Sequence, residues 1–332
     1  GVPAANAIGP REPAFWLIAN SDVPLFALMF AALWWAFGLR AAVVATLWVN
    51  VIHFNRGRFP GGFLQYDWLA STVAALCLYR RGRGALAGAA LSWGAATRVF
   101  PGFLAVPVAV ALVADRIRGR PLERRRVRFL ATLAAASALL VGAACLTGRG
   151  AAVWPEWIDN IGRHAQVLPL DSMHVGAERL AQHRPAEGDF WGGHRRGTRE
   201  ERLAAGRPLA LAVRVAGAAL LLLALFGRRD EDAMILTLFA AFLAVTLTRY
   251  YATAWVLLLL LGADDRRART RWPAFLAGAA LLGMAAWFYA PGGQWARYNL
   301  ANWEALGMFA AICAGYALVN ARRWWARRRG GG

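Results

Sequence analysis

Five arginine-rich runs divide a chain that is otherwise largely apolar. They are RRGR at 80–83, RIRGRPLERRRVR at 116–128, GRR at 227–229, RRARTR at 266–271 and RRWWARRR at 322–329. Between them lie stretches nearly free of charge and long enough to approach or span a bilayer. Apolar segments that recur along the whole chain do not suit one soluble core. The alternation predicts an all-α, polytopic helical membrane protein organised as a single transmembrane unit. Cytoplasmic loops of such proteins carry an excess of basic residues, so the five runs are expected on the cytoplasmic side, beside anionic lipid.

The net charge of +19 on 332 residues is carried by arginine, since the chain has no lysine. The arginines sit in loop-sized clusters and are not spread as a binding face, which argues against nucleic acid as a partner. Cys77, Cys145 and Cys313 all lie in apolar segments, with neither metal spacing nor a disulfide framework. No P-loop, GxGxxG or GxSxG motif is present, so nucleotide cofactors have no support.

Placing the basic runs on one side orders the remaining segments. Residues 24–39 and 41–54 are apolar and split by Arg40; 68–79, 129–147, 208–226, 272–290 and 303–320 follow as further crossings. The total is about nine full or near-full spans. Two apolar regions, 84–115 and 233–262, run from one basic cluster to the next and are broken in the middle, at Arg98–Pro101 and at TRYY, 248–251. Each arm is about 14 residues, or roughly 20 Å of helix, against a hydrocarbon core of roughly 30 Å. Both are therefore expected to be short broken-helix hairpins with an arginine at the tip, Arg98 and Arg249, in the outer half of the membrane. An arginine at that depth costs at least about 2.5–3.5 kcal/mol unless it faces an anion or a cavity.

This topology puts residues 1–20, 55–67, 148–207 and 291–303 outside. The 148–207 segment is expected as an extracytoplasmic loop, and WPEWIDNIGRHAQ within it has the apolar spacing of an amphipathic helix lying on the membrane surface. The external acids are Glu12, Asp22, Asp67, Glu156, Asp159 and Asp171. Asp67 precedes an apolar helix and reads as its N-cap, or as an acid acting with Arg56 and Arg58 on a substrate hydroxyl. His164, His174, His183 and His194 share the long loop, but their spacing does not support a divalent metal site and no cofactor is expected. Intramembrane arginines, external acids and apolar walls are the parts needed by an enzyme using a lipid-phosphate donor, because arginine binds phosphate in a bidentate manner.

The stretch YRRGRGALAGAALSWGAATRVFPGFLAVPVAVAL resembles the segment of GT-C-fold glycosyltransferases in which a basic residue followed by proline separates two apolar helices. It is most similar to bacterial polyprenol-phosphate-mannose-dependent mannosyltransferases and their relatives. Arg98 stands at the basic position and Pro101 at the proline position; GGFLQYDWLASTVAALCLYRRGR and LTRYYATAWVLLLLL resemble further segments. The resemblance implies a hexosyltransferase of a bacterial inner (plasma) membrane, moving a hexose from a polyprenyl-phosphate donor to an acceptor on the outer face. Arg98, Arg249, Tyr250, Tyr251, Arg56 and His164 are then the substrate-binding candidates, with Asp67 and Asp159 as weaker catalytic candidates. Such enzymes place their catalytic acid in the first large external loop, so that acid is expected upstream of Gly1, the chain reading as a fragment. Two alternatives stand beside this: a transporter or lipid flippase built on broken helices, and a non-catalytic membrane protein whose arginines pair with internal carboxylates or helix carbonyls.

Overall fold

The computed structural model describes residues 20–51, 66–146, 149–167, 174–180, 196–263, 271–287 and 294–329. The chain divides into two compact units, residues 1–150 and 151–332.

The first unit contains α1 (Asp22–Phe37), α2 (Leu39–Val51), α3 (Asp67–Arg80) and α4 (Gly84–Thr97). A 3-10 helix, Phe100–Ala105, then runs into α5 (Val106–Ile117), and α6 (Arg124–Ala144) follows. The joint between α1 and α2 is at Gly38, whose φ of +89° an L side chain would resist, and not at Arg40 as the charge suggested. Arg40 lies inside α2.

α4 packs between α3 and α6. A Cβ on Gly84 would collide with Arg125 O, and one on Gly88 with Phe129 O, so the two helix backbones are nearly in contact there. The Gly84–x–x–x–Gly88 spacing is the small-residue interface of membrane helix pairs. On another face of α4, Gly94 meets the Ser71 and Thr72 hydroxyls of α3. Glycine weakens a helix by roughly 0.5–1 kcal/mol relative to alanine, and this close packing offsets the cost.

The arginine clusters of this unit gather at one end. Arg80 Nε donates to Ala36 O at 2.8 Å and Arg81 donates to Trp35 O, so the RRGR run caps the C-terminus of α1. The Arg80 guanidinium also lies 4.2 Å from the Phe37 ring centre, and Arg125 stacks at 4.5 Å on Tyr79. Arg126 pairs with Asp115 at 2.5 Å, bringing the end of α5 to the start of α6. The N-termini of α1 and α3 and the C-terminus of α4 consequently share the opposite end.

The second unit begins with α7 (Val153–Val167), a strand β1 (His174–Val175) and a single turn, α8 (Ala177–Leu180). It continues with α9 (Arg196–Leu225), α10 (Asp230–Leu236), α11 (Leu238–Ala244), β2 (Leu247–Thr248) and a 3-10 helix, Arg249–Leu260. It ends with α12 (Trp272–Trp287) and α13 (Gln294–Arg329). Phe239, Phe242, Trp255 and Phe309 form its aromatic core, with Phe239 and Phe309 stacked at 5.0 Å and Trp255 edge-on to Phe309 at 5.6 Å. The amphipathic helix expected over 154–166 is α7. The helices expected over 208–226 and 303–320 are longer than the sequence suggested: α9 starts at Arg196 and carries Pro208 inside it, and α13 takes in both the polar QWARYNLANWE and the last arginine run.

Among the described residues four helices are long and apolar enough to cross a membrane: Phe100–Ile117, Arg124–Ala144, Gly206–Leu225 and Ala301–Ala326. Segments 22–37, 39–49, 251–260 and 272–286 are apolar but shorter. α6 makes the membrane argument most directly. It has 21 residues, about 32 Å of rise, and Phe129 is its one buried residue. An apolar helix left exposed on the faces away from α4 is suited to lipid and unsuited to water. The chain is a helical, membrane-embedded protein, and the one β pair among the described residues is two residues long.

Gly88→Leu is expected to force α4 and α6 apart at a cost of about 1–3 kcal/mol, read as a lower midpoint of thermal unfolding in detergent. Gly142→Leu, on α6 where a Cβ would meet open space, is expected to leave that midpoint in place or raise it slightly, because leucine is the better helix former.

Candidate functional site

At the end of the first unit opposite its arginine clusters, two acids each accept a backbone amide at the start of α3. Asp22 is fully buried and its Oδ1 accepts the Tyr66 N–H at 3.0 Å. Asp67 is the first residue of α3; the residue before it, Tyr66, occupies the N-cap position without a side-chain bond, which corrects the reading of Asp67 as the cap. Asp67 Oδ1 accepts the Trp68 N–H at 2.7 Å, and Oδ2 accepts the Trp93 indole N–H at 3.1 Å. An acid in the first helical turn suits the positive end of the helix dipole. The Trp93 bond ties α3 to α4 at this end.

Arg98 is the residue at which α4 stops. Its backbone turns extended, with φ −148° and ψ 125°, while its N–H still donates to Gly94 O at 2.9 Å. Its Nη1 donates to Thr97 O at 2.8 Å, satisfying one of the carbonyls that a helix end leaves without a partner. Two residues on, the Phe100 ring meets Trp68 edge-on at 4.9 Å. Trp68 adjoins Asp67, so this contact draws the break containing Arg98 over the acidic start of α3. Pro101 falls in the first turn of the 3-10 helix, where no amide hydrogen is needed.

The two arms of this hairpin are not equally short. α4 has 14 residues, or about 21 Å, as expected. The six 3-10 residues at about 2 Å each and the twelve of α5 at about 1.5 Å make the second arm about 30 Å long. Its four additional residues supply most of the difference and the more extended 3-10 backbone the rest.

In the second unit the broken hairpin opens at Val245–Thr248 and not at 248–251, with Arg249 starting the following helix. The reason is tertiary: Leu247 and Thr248 pair antiparallel with Val175 and His174. Asn302 of α13 holds that strand, its Oδ1 accepting the Gly176 N–H at 2.8 Å and its Nδ2 donating to His174 O at 3.3 Å. Arg214 lies within the apolar span of α9. Its Nε donates to Leu243 O at 2.9 Å, capping α11, and its Nη2 pairs with Glu178 at 3.1 Å. Arg214 and Glu178 were not among the expected site residues, yet a lone arginine in LALAVRVAGAALLLL is the same kind of signal as Arg98. Glu304 was also passed over; its carboxylate lies against the Cα of Gly283, between α12 and α13.

Of the remaining candidates, Tyr251 is half-buried in the second unit. The side chains of Arg249, Tyr250 and His164, and Arg56 entirely, lie outside the described residues. Asp159 pairs with Arg163 one turn along its own helix, at 2.6 Å, with both groups largely exposed. Thus Asp67 and Arg98 share an end of the first unit, whereas Asp159, Arg249, Tyr250 and Tyr251 belong to the second. Among the described residues no group of three or more His, Cys, Asp or Glu is placed to hold a metal ion.

A second charged group in the second unit reads as structural. Arg228 Nη2 donates to Asn320 at 2.6 Å and the guanidinium stacks on Tyr316 at 4.3 Å. Asp232 accepts the Gly262 N–H at 3.4 Å. Burial pushes the Asp232 carboxyl above its ordinary range, while the Gly262 N–H and the Arg229 and Arg228 charges pull it down. Burial likewise lowers the Arg228 guanidinium.

Comparison with protein-family models, with curated proteins and with solved structures returned no match.

A carboxyl whose folded value is raised favours folding when protonated and opposes it once charged, so its contribution is lost as pH rises through that value. Asp232→Asn keeps the acceptor for Gly262 and removes the charge. It is expected to unfold at a higher temperature than the wild type at pH 7–8, with the gap closing as pH falls toward the unfolded carboxylate value of about 3.9. Melting curves across pH check this.

Proposed function

We propose that the chain is an integral membrane glycosyltransferase of the GT-C kind, with about nine full or near-full crossings. In this reading it transfers a hexose from a polyprenyl-phosphate donor to an acceptor on the outer face of a bacterial inner membrane, with the basic clusters cytoplasmic. The observation that carries it is the Trp68–Phe100 contact, which holds the break at Arg98 against the acid-bearing start of α3, at the end away from the unit's arginine clusters. A cation and carboxylates at such an end suit a lipid phosphate.

The reaction follows from these parts. The acceptor hydroxyl oxygen bonds to the anomeric carbon as that carbon's bond to the donor phosphate oxygen breaks. The phosphate leaves with the bonding electron pair, and the Arg98 guanidinium stabilises the charge it gains. The hydroxyl proton passes to a carboxylate base. Asp67 acts here by holding Trp93 and the start of α3, since both its oxygens accept protein N–H groups.

A transporter or lipid flippase is the second reading. It is favoured by the presence, in each unit, of a broken apolar hairpin with an arginine at or just after the break, Arg98 and Arg249.

The test is release of polyprenyl phosphate from a radiolabelled polyprenyl-phosphate hexose by membranes containing the full chain. Wild type is expected to release it. Arg98→Ala is expected to lower the rate by about 100-fold or more, as removal of a charge-stabilising donor does. Arg98→Lys should keep part of the activity, because charge survives without the bidentate fork. Intact donor moved across the membrane would favour transport, and no release by the wild type would overturn the enzyme reading.

A further inference from the structure

We propose that the arginine-bearing end of the first unit holds an acidic phospholipid, its phosphate at Arg81 and Arg83 and an acyl chain along α1. This site is independent of the donor reading, which concerns the opposite end of the unit.

The arginines at this end fall into two sets. Arg125 and Arg126 are answered by carboxylates. Arg125 pairs with Glu123 at 3.0 Å, and Arg126 pairs with Glu123 at 3.2 Å and with Asp115 at 2.5 Å. Arg81 and Arg83 are exposed and, among the described residues, pair with no carboxylate. The sequence explains the difference: residues 23–66 and 68–114 contain no acid, so the helix ends around Arg81 and Arg83 have none to offer.

The two unanswered guanidiniums converge on one side chain. Each lies 5.2 Å from the centre of the Trp35 ring, and Arg81 also donates to Trp35 O. Arg81 follows the last residue of α3 and Arg83 precedes the first of α4, so a short turn presents both charges to the end of α1. An arginine already resting on an aromatic ring has less freedom to lose when it binds. Its planar fork then matches the oxygens of a phosphate.

The rest of the site is apolar. Trp35 is exposed in the last turn of α1, and Leu28 and Ala31, seven and four residues earlier, are exposed on the same face. A stripe of this kind leading to two unanswered cations fits a molecule with an anionic head and a hydrocarbon tail. Free phosphate would meet the charges and leave the stripe bare. Acidic phospholipids have both parts and are held by basic pockets at the ends of membrane helices. General attraction of basic loops to anionic lipid would not distinguish Arg81 and Arg83 from the other exposed arginines, whereas a site built on Trp35 does.

The experiment measures phosphatidylglycerol and phosphatidylcholine bound to the full chain in neutral detergent, by native mass spectrometry. The wild type is expected to hold phosphatidylglycerol more tightly. Arg81→Gln with Arg83→Gln should weaken phosphatidylglycerol by about 10- to 30-fold and leave phosphatidylcholine unchanged. Arg118→Gln with Arg120→Gln removes the same charge from the exposed connection after α5 and should change neither. If the first pair fails to fold, Arg83→Gln alone should still weaken phosphatidylglycerol by about fivefold, since that side chain makes no contact but the one with Trp35 among the described residues. Equal losses in the two double variants, or no preference for phosphatidylglycerol in the wild type, would overturn the site. Displacement of the lipid by inorganic phosphate alone would assign it to a free anion and overturn the lipid.

Discussion

A helix that ends in an apolar medium leaves carbonyl groups that must find donors, and this requirement organises the structure. Arginine meets it repeatedly. Arg80 and Arg81 cap Ala36 and Trp35 at the end of α1, Arg98 caps Thr97 at the end of α4, and Arg214 caps Leu243 at the end of α11. Asn320 does the same for Leu223 at the end of α9. The chain can therefore stop helices in mid-sequence within apolar stretches, which an uninterrupted series of apolar spans could not do. At Arg98 and Arg214 the stop places a cation inside an apolar stretch.

The breaks differ in what surrounds them. Arg214 has a carboxylate partner, Glu178, as well as its carbonyl, so its charge is answered within the protein. Arg98 shares an end of the first unit with an acidic corner in which Asp22 and Asp67 hold backbone and indole N–H groups. That corner is assembled by ring contacts and hydrogen bonds between α1, α3 and α4, not by any one element. The small residues of α4 make it possible: Gly84 and Gly88 let α6 approach, and Gly94 lets α3 approach.

Much of this was legible in the sequence. Arginine runs against apolar stretches located most helices, because charge and hydrocarbon separate so strongly. The break at Arg98 was legible for a further reason, since arginine and proline act there on the same few residues. The joint at Gly38 was hidden because a charge two residues away was the louder signal, whereas the turn depends on a positive φ. The second break was displaced because its position is set by pairing with His174–Val175, some seventy residues earlier, and no local pattern records such a partner. Asp22 and Trp93 show the same limit. Burial of the first and the carboxylate bond of the second exist only after α1, α3 and α4 have packed. Arg214 is different: its signal was present, and it was outweighed by the clusters around it.

The proposed activity requires the Asp67–Arg98 end to open on the outer side of the membrane, and the chain carries its own reporter. Cys145 follows the last residue of α6, at that same end of the first unit, and is half-buried, while Cys77 and Cys313 are buried. The decisive measurement is labelling of the wild-type chain in intact cells with a membrane-impermeant maleimide, with Cys145→Ala as the reference. Cys145 is expected to be labelled from outside without permeabilisation. Labelling only after the cytoplasmic face is opened would place the Asp67–Arg98 end in the cytoplasm and the basic clusters outside, and contradict the proposed activity.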